Sequence, residues 1–539
     1  MSFLVLRFCV ISQFLLTKLF TTEKRGMRDS PELSEILSEA EKRFERFRRT
    51  TGLFLGPLVF LLLYLLPMRS LSHGAHTLAA IIGWVITWWI TEPIPLPATA
   101  LLGTVLCILL GVADVKTAFA PFADPIIFLF LGSFMLARAM MVHGLDKRFA
   151  YKMVSQRWVG NSAGRILFVF GATSAFLSMW ISNTATTAML FPIGLGMISA
   201  MAEMISVRTG KSVPPGRLRF GTGMMLMAAY ASSIGGIGTP VGTPPNLIGI
   251  AMMERFANVK IPFFKWMLFA VPSMLLMYLL AYALLFWLHK PDVSKLEDSQ
   301  AYIKKELAKL GRWTRGEKNA FFAFLVAVIL WVLPGFLVLV LGKDSAVAKI
   351  YNSRIPEAAA AVIAAALLFL LPIDWQKRKF TLTWSEAVKI DWGTLLLFGG
   401  GLSIGNLMFQ TKLADGLSSG ILHLFGVTSL WTLTLVGIYL AILVSETTSN
   451  TAAATMLVPI IISLAQASGI NPIPPAIGTT LGCSWAFMLP VSTPPNAIVY
   501  GSGLVPITKM IKGGVLLSLS GGFVIWLVLR LLLPLLGLA

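Results

Sequence analysis

The sequence predicts an all-α polytopic membrane protein built from two related halves. Three observations predict it. The first is composition: of 539 residues, 56% are AVILMFWYC, and 46 glycines take the apolar share to roughly 65%, against about 45–50% in an average soluble protein. Charged residues make up 13% and mean hydropathy is +0.78. So little polar residue cannot cover a soluble surface, and the bilayer must be the solvent. The second observation is a series of apolar runs of helical length. The third is a set of polar motifs that occurs twice, in the same order.

Residues 1–26 are apolar but short, interrupted by Arg7, and lack a small-residue cleavage site, which makes a poor signal peptide. Met27 is a second candidate start. Residues 30–49 read as an amphipathic cytoplasmic helix. Ser30 and Pro31 suit its start, Glu32 and Glu35 suit the positive end of its dipole, and its arginines suit anionic headgroups. Apolar spans follow at 52–68, 76–92, 95–113, 163–181, 184–206, 220–235, 262–288, 316–341, 355–373, 426–447, 452–468, 474–490 and 513–536. Segments 121–146 and 391–413 are apolar but rich in glycine, and read as re-entrant hairpins that turn over there. The count is about 11 transmembrane helices plus two hairpins. Residues 289–318 form the one sizeable polar loop, with a short helix at Lys295–Leu310. The chain then divides into a cytoplasmic N-terminal segment (1–50), a first half (51–288), a basic cytoplasmic loop (289–315) and a second half (316–539).

Lysine and arginine number 44 against 25 acids, a net charge of +19. In a membrane protein such an excess marks cytoplasmic loops rather than a nucleic-acid partner. Eight basic residues lie in 289–318 and eight in 24–49, with none after Arg530. Both segments, and the N-terminus, are therefore placed inside. Cys9, Cys107 and Cys483 have neither disulfide nor metal spacing and read as apolar filler. The five histidines (His73, His76, His143, His289, His423) stand at no metal-ligating spacing. Trp84, Trp88 and Trp89 read as an interfacial aromatic belt.

The repeat carries the function. Ser182–Ile193 reads SNTATTAMLFPI and Ser449–Ile460 reads SNTAAATMLVPI, identical at eight of twelve positions. GTPPNLI at Gly242–Ile248 returns as STPPNAI at Ser492–Ile498, and FLFLGSFM at Phe128–Met135 as LLFGGGLS at Leu396–Ser403. The three pairs lie 250–268 residues apart. One Ser-Asn-Thr in a membrane helix reads as a small polar contact between helices. Two copies, each followed by Thr-Pro-Pro-Asn, read as broken helices in matching positions, the mark of a secondary transporter's site. Unwound carbonyls and hydroxyls suit a small hard cation. The free amides at a half-helix start suit an anion. Two prolines forbid continuous helix, and the Asn closes the break. Glu446, three residues before Ser449, reads as a carboxylate that braces the break, with a cation or proton role as the alternative. No HExxH, paired intramembrane Asp or GxxxxGK[ST] is present, so neither a metal- or carboxylate-dependent intramembrane enzyme nor an ATP-driven pump is indicated.

At these residues the chain resembles the divalent-anion/sodium symporter family, which includes the INDY-type dicarboxylate transporters. The likeness rests on Ser182-Asn183-Thr184, Ser449-Asn450-Thr451, Thr243-Pro244-Pro245-Asn246 and Thr493-Pro494-Pro495-Asn496, and extends to Gly52–Pro57 and Thr91–Leu96. It covers about residues 50–536. It implies an inverted-repeat secondary transporter with scaffold and transport domains, a homodimer in the plasma (inner) membrane, and no organic cofactor. It implies sodium-coupled symport of divalent anions, most of all C4-dicarboxylates such as succinate, malate or fumarate. Sodium-independent dicarboxylate exchange and sodium-coupled transport of sulfate or tricarboxylates are the alternatives. Carried over residue by residue, one sodium site takes Ser178, Ser182, Asn183 and backbone at Gly236, and the other takes Ser445, Ser449, Asn450 and backbone at Ser492. The family often has Thr at the position of Ser445, which keeps the hydroxyl. Substrate carboxylates then meet Asn183, Thr184, Asn450, Thr451, Thr493 and Pro494. No Arg or Lys lies within the SNT or TPPN motifs themselves, so the bound cations must offset the anion's charge.

Overall fold

The computed structural model describes residues 39–68, 71–293, 297–342, 345–414, 416 and 429–539. Met27, Cys9, His423 and the start of the amphipathic helix lie outside the described residues. Among the described residues, ten helices are long and apolar enough to cross a membrane, or 11 if one bent pair counts as a single span. The only sheet among them is a two-stranded antiparallel ribbon.

The chain opens with α1 (Glu39–Leu65), α2 (His73–Thr91), α3 (Leu96–Leu109) and a short α4 (Val115–Phe119). Helix α1 is continuous from the amphipathic stretch into the first span. Next come α5 (Pro125–Val142), α6 (Leu145–Val154), α7 (Ala163–Ser178), α8 (Asn183–Thr209), α9 (Arg219–Gly236), α10 (Pro244–Ala257) and α11 (Phe263–Leu288). The polar loop carries α12 (Glu297–Lys309), close to the expected 295–310. The second half begins with α13 (Arg315–Leu341), α14 (Ala346–Arg354), α15 (Glu357–Leu370) and the ribbon β1 (Pro372–Asp374) and β2 (Lys379–Phe380). It continues through α16 (Trp384–Ala387), α17 (Trp392–Gln410), α18 (Leu430–Thr447), α19 (Asn450–Ala467), α20 (Ile473–Cys483), α21 (Pro494–Tyr500) and α22 (Ile507–Leu535).

The expected turns at the glycines are not there. Helix α5 runs through Gly132, and α17 runs through Gly399–Gly401. The breaks fall earlier, at Asp124 and Asp391, whose carboxylates accept from Ile126 N and Thr394 N and cap the helices. The glycines serve close packing instead. A Cβ on Gly132 would lie 2.6 Å from the backbone of Ala361 on α15, and one on Gly400 would lie 2.7 Å from Ala100 Cβ on α3. Small residues at such crossings let membrane helices pack tightly.

The expected tryptophan belt is also corrected. Trp88 and Trp89 are buried, and Trp88 Nε1 donates to Gly52 O at 2.9 Å. Gly52 and Gly56 of α1 leave room for Thr91 and the Trp84 and Trp88 rings. Elsewhere, a buried ion pair pins α6 to the start of α13. Arg148 Nε lies 2.6 Å from Glu317 Oε1, with both side chains under a tenth exposed. The guanidinium also donates to the carbonyls of Leu310 and Gly311 and lies over the Trp313 ring. Those extra bonds are what make a desolvated pair tolerable. Outward-facing helices such as α1 and α13 are mostly exposed, whereas α17 and α19 are mostly enclosed by protein.

Candidate functional site

Each Ser-Asn-Thr interrupts a helix. Helix α7 ends at Ser178 and α8 begins at Asn183, with Ser182 as cap, its Oγ accepting from Ala185 N at 3.2 Å. Helix α18 ends at Thr447 and α19 begins at Asn450, with Ser449 Oγ accepting from Ala452 N at 3.1 Å. Ser and Asn have hydroxyl and amide groups that compete for the backbone, which is why the chain caps here rather than continuing. The amides of Asn183 and Thr184, and of Asn450 and Thr451, precede the first bonds within their helices and carry the positive dipole end. Ser182 and Thr184 are exposed, whereas Asn183, Asn450 and Thr451 are half-buried.

Each Thr-Pro-Pro-Asn interrupts a second helix in the same way. Between α9 and α10 the chain is unwound over residues 237–243, and between α20 and α21 over 484–493. Asn246 Nδ2 donates to Gly236 O at 2.9 Å and Thr239 O at 2.8 Å. Asn496 Nδ2 donates to Ala486 O at 3.3 Å and Leu489 O at 3.0 Å. Both asparagines reach back ten and seven residues, so the two breaks are closed by one device. Thr493 is buried and accepts from Asn496 N, while Pro494 is exposed. The halves interlock: α10 packs against α19 and α20, and α21 packs against α8 and α9.

The structure brings together Ser178, Asn183 and Gly236. Ser178 Oγ donates to Asn183 Oδ1 at 2.6 Å, and a Cβ on Gly236 would lie 2.4 Å from that same oxygen. It also brings together Ser445 and Asn450. Ser445 Oγ lies 2.7 Å from Asn450 Oδ1 and 2.6 Å from Cys483 O. One hydroxyl proton serves only one of those two acceptors. Two electron-rich oxygens therefore crowd a third with a single proton among them, which is the donor set a small cation favours.

The Ser492 side chain turns to Glu446: its Oγ donates at 2.9 Å to the carbonyl and 2.8 Å to Oε2. Glu446 is buried and accepts from Phe487 N at 2.8 Å, Met488 N at 3.0 Å and Ser518 Oγ at 3.3 Å. The carboxylate thus holds the unwound segment 484–493, the bracing role read from the sequence. Tyr230 OH adds a bond to Phe487 O at 2.9 Å.

Two groups escaped the sequence reading. A Cβ on Gly242 would lie 2.4 Å from Gly236 O and 3.0 Å from both Ser178 O and Met179 O, so three carbonyls converge on this glycine. Its signal was available: glycine stands directly before the first TPPN where serine stands before the second. The carbonyl of Cys483 had no signal, because any residue supplies one. The breaks are also tied outward. Trp180 stacks on Phe263, which stacks on Trp331, and Thr448 Oγ1 donates to Trp89 O at 2.9 Å.

Two pairs of broken helices, interlocked and lined by amides, hydroxyls and carbonyls, define a secondary active transporter of the membrane. The chain belongs to the family described as sodium:sulfate symporter transmembrane region, whose match covers residues 48–538. Among its relatives, the sodium-dependent dicarboxylate transporter SdcS of Staphylococcus saprophyticus subsp. saprophyticus is 35% identical over 514 residues, 95% of this chain and 96% of that one. The protein of the same name from Staphylococcus aureus (strain USA300) is 34% identical over 487 residues, 90% of this chain and 91% of that one. The Alcanivorax borkumensis YdaH transporter gives a TM-score of 0.49 at 17% identity, over 79% of this chain and 88% of that one.

Proposed function

We propose that the protein imports C4-dicarboxylates coupled to sodium. The observation that carries this reading is the oxygen cluster at both breaks, above all Ser445 Oγ within 2.7 Å of two acceptors with one proton to share. Sodium at Ser178, Asn183 and the carbonyls around Gly242 and Gly236, and at Ser445, Asn450 and the Cys483 carbonyl, supplies the missing positive charge. Ser182 and Ser449 hold the caps beside these sites. The two carboxylates of the substrate meet the free amides and side chains of Asn183, Thr184, Asn450 and Thr451, with Thr493 and Pro494 alongside. Without lysine or arginine in the motifs, an anion without sodium would face a low-dielectric site uncompensated. Sodium therefore raises anion affinity, and the anion raises sodium affinity by the same factor.

The interlocked broken helices form the transport domain, which moves against a scaffold built from the outer helices. Residues 51–288 and 316–539 supply one repeat each around the basic loop 289–315. The protein acts as a homodimer in the plasma membrane, with its N-terminus and its basic loop in the cytoplasm. The test is labelled succinate uptake into proteoliposomes, with sodium or potassium outside and with or without internal succinate. Uptake into empty vesicles that requires sodium supports the reading. Uptake indifferent to sodium and dependent on internal anion makes the protein an exchanger. Sulfate flux without succinate flux overturns the substrate.

A further inference from the structure

Below the first break, the same three helices carry a second level of hydroxyls. Helices α7, α8 and α9 supply Ser178, Asn183 and Gly236 at the break. Four residues away on each helix, about 6 Å along its axis, stand Ser174, Thr187 and Ser232. Ser174 Oγ donates to Ala228 O at 2.8 Å, Ser232 Oγ donates to Ala229 O at 2.8 Å, and Thr187 Oγ1 lies 2.7 Å from Ser232 Oγ. All three are fully buried. Beside them, Thr186 Oγ1 and Ser233 Oγ are buried with no hydrogen-bond partner among the described residues. Leaving hydroxyls unpaired at this depth is costly.

The second repeat lacks this level. By the offset that aligns the two SNT motifs, Ser174 and Thr187 correspond to Ala441 and Ala454. By the offset that aligns the two TPPN motifs, Ser232 corresponds to Gly482 and the unpaired Ser233 to Cys483. Helices α18, α19 and α20 still pack as a set without those hydroxyls. The hydroxyls are therefore not what holds three such helices together, although the Ser-Asn pair at each break is kept in both halves.

We propose that Ser174, Thr187 and Ser232 form a further sodium site, one helical turn beneath the first break and present in the first repeat alone. Hydroxyls already donating to carbonyls keep lone pairs for a cation, and neutral oxygens from three helices suit a small hard ion. This inference rests on the sodium-coupled reading above, and gives the protein one sodium per chain beyond the pair at the breaks.

The experiment compares the wild type with a variant carrying the second repeat's residues, S174A/T187A/S232G. Equilibrium binding of radioactive sodium to the purified protein counts sites per chain, and the reversal potential of sodium-driven succinate flux in proteoliposomes gives the coupling ratio. The expected result is loss of one bound sodium per chain, with one sodium fewer moved per succinate where the variant still transports. The milder variants T187A and T187S provide a second comparison should the triple variant not fold. T187A then weakens the additional sodium, and T187S, which keeps the hydroxyl, retains it. An unchanged sodium count in a folded T187A or triple variant overturns the site, and so does a wild type that binds only the pair at the breaks. A wild type whose succinate flux ignores sodium overturns the functional reading itself, a separate result.

Discussion

Replacement of Glu446 separates bracing from ligation. In the structure its Oε1 accepts from Phe487 N at 2.8 Å and Met488 N at 3.1 Å, and its Oε2 accepts from Met488 N at 3.0 Å and Ser492 Oγ at 2.8 Å. Glu446→Ala leaves the amides of Phe487 and Met488 without an acceptor in the protein interior, while Ser492 Oγ keeps the main-chain carbonyl of residue 446. Each buried unpaired group costs about 1–3 kcal/mol, so the segment 484–493 loses on the order of 3–5 kcal/mol of support. Glu446→Gln keeps one oxygen for Phe487 N and Met488 N, and Ser492 can turn to accept from the new amide. It loses only charge assistance, about 1–2 kcal/mol. The carbonyl of Cys483 directly precedes this segment and accepts from Ser445 Oγ, so loosening the segment disturbs the second oxygen cluster, which is proposed to hold sodium. The expected outcome is graded: about tenfold higher half-saturating sodium for Gln, since about 1.4 kcal/mol is a factor of ten, and little functional protein for Ala. Sodium-dependent succinate uptake and melting of the detergent-solubilised protein measure both. A Glu446→Gln protein with wild-type stability and wild-type sodium dependence refutes the bracing argument.

Other substitutions test other parts of the structure. Arg148→Ala strands the Glu317 carboxylate in a buried site and should cost about 3–5 kcal/mol, seen as a markedly lower melting temperature; R148M/E317L should melt above R148A, and failure to do so denies the pair its role. Gly242→Ala places a Cβ 2.4 Å from the backbone oxygen of Gly236. It should raise half-saturating sodium tenfold or more, the effect of about 1.4 kcal/mol, with unchanged sodium dependence refuting the carbonyl cluster. Asp146, on α6 outside the membrane-spanning helices, has its carboxyl raised by burial to about 6. Its native state thus holds more protons than the unfolded chain between the ordinary carboxylate value and about 6. Stability is greatest below that window and falls as pH rises through it, so Asp146→Asn should melt higher than wild type near neutral pH, by up to about 3 kcal/mol. The gain should vanish in acid, and a gain that is the same at both pH values refutes the assignment.

What the sequence disclosed about the site was whatever breaks a backbone locally. Ser182 and Ser449 cap, the paired prolines stop helix, and Asn246 and Asn496 close loops within ten residues of themselves. Local chemistry dictates each of these, so each is legible in a string of letters, and duplication raised them above chance. The glycines of Phe128–Met135 and Leu396–Ser403 were misread because glycine serves two ends. It permits a turn, and it lets a neighbouring helix approach. The neighbours Ala361 and Ala100 stand more than 200 residues away in sequence from Gly132 and Gly400, and no local pattern announces them. The tryptophans failed for the same reason. Trp88 is an interfacial residue by type, yet Gly52 and Gly56 of another helix make room to bury it.

The same limit explains how two nearly identical motifs are completed differently. At the first break Gly242 faces three carbonyls, and no side chain fits there. At the second, Ser492 occupies the matching place because its hydroxyl turns to Glu446 instead. Glu446 itself has Met179 as its counterpart, whose carbonyl accepts from Thr239 Oγ1 at 2.5 Å. One half is thus held by a carboxylate and the other by main-chain carbonyls. Removing the carboxylate should loosen the second break alone, whereas crowding the glycine should disturb the first alone. Sequence identity between the repeats marks what both halves must do, namely stop a helix and present oxygens. The differences between them mark where each half has its own partners, and there the two oxygen clusters part company in chemistry and in sensitivity to substitution.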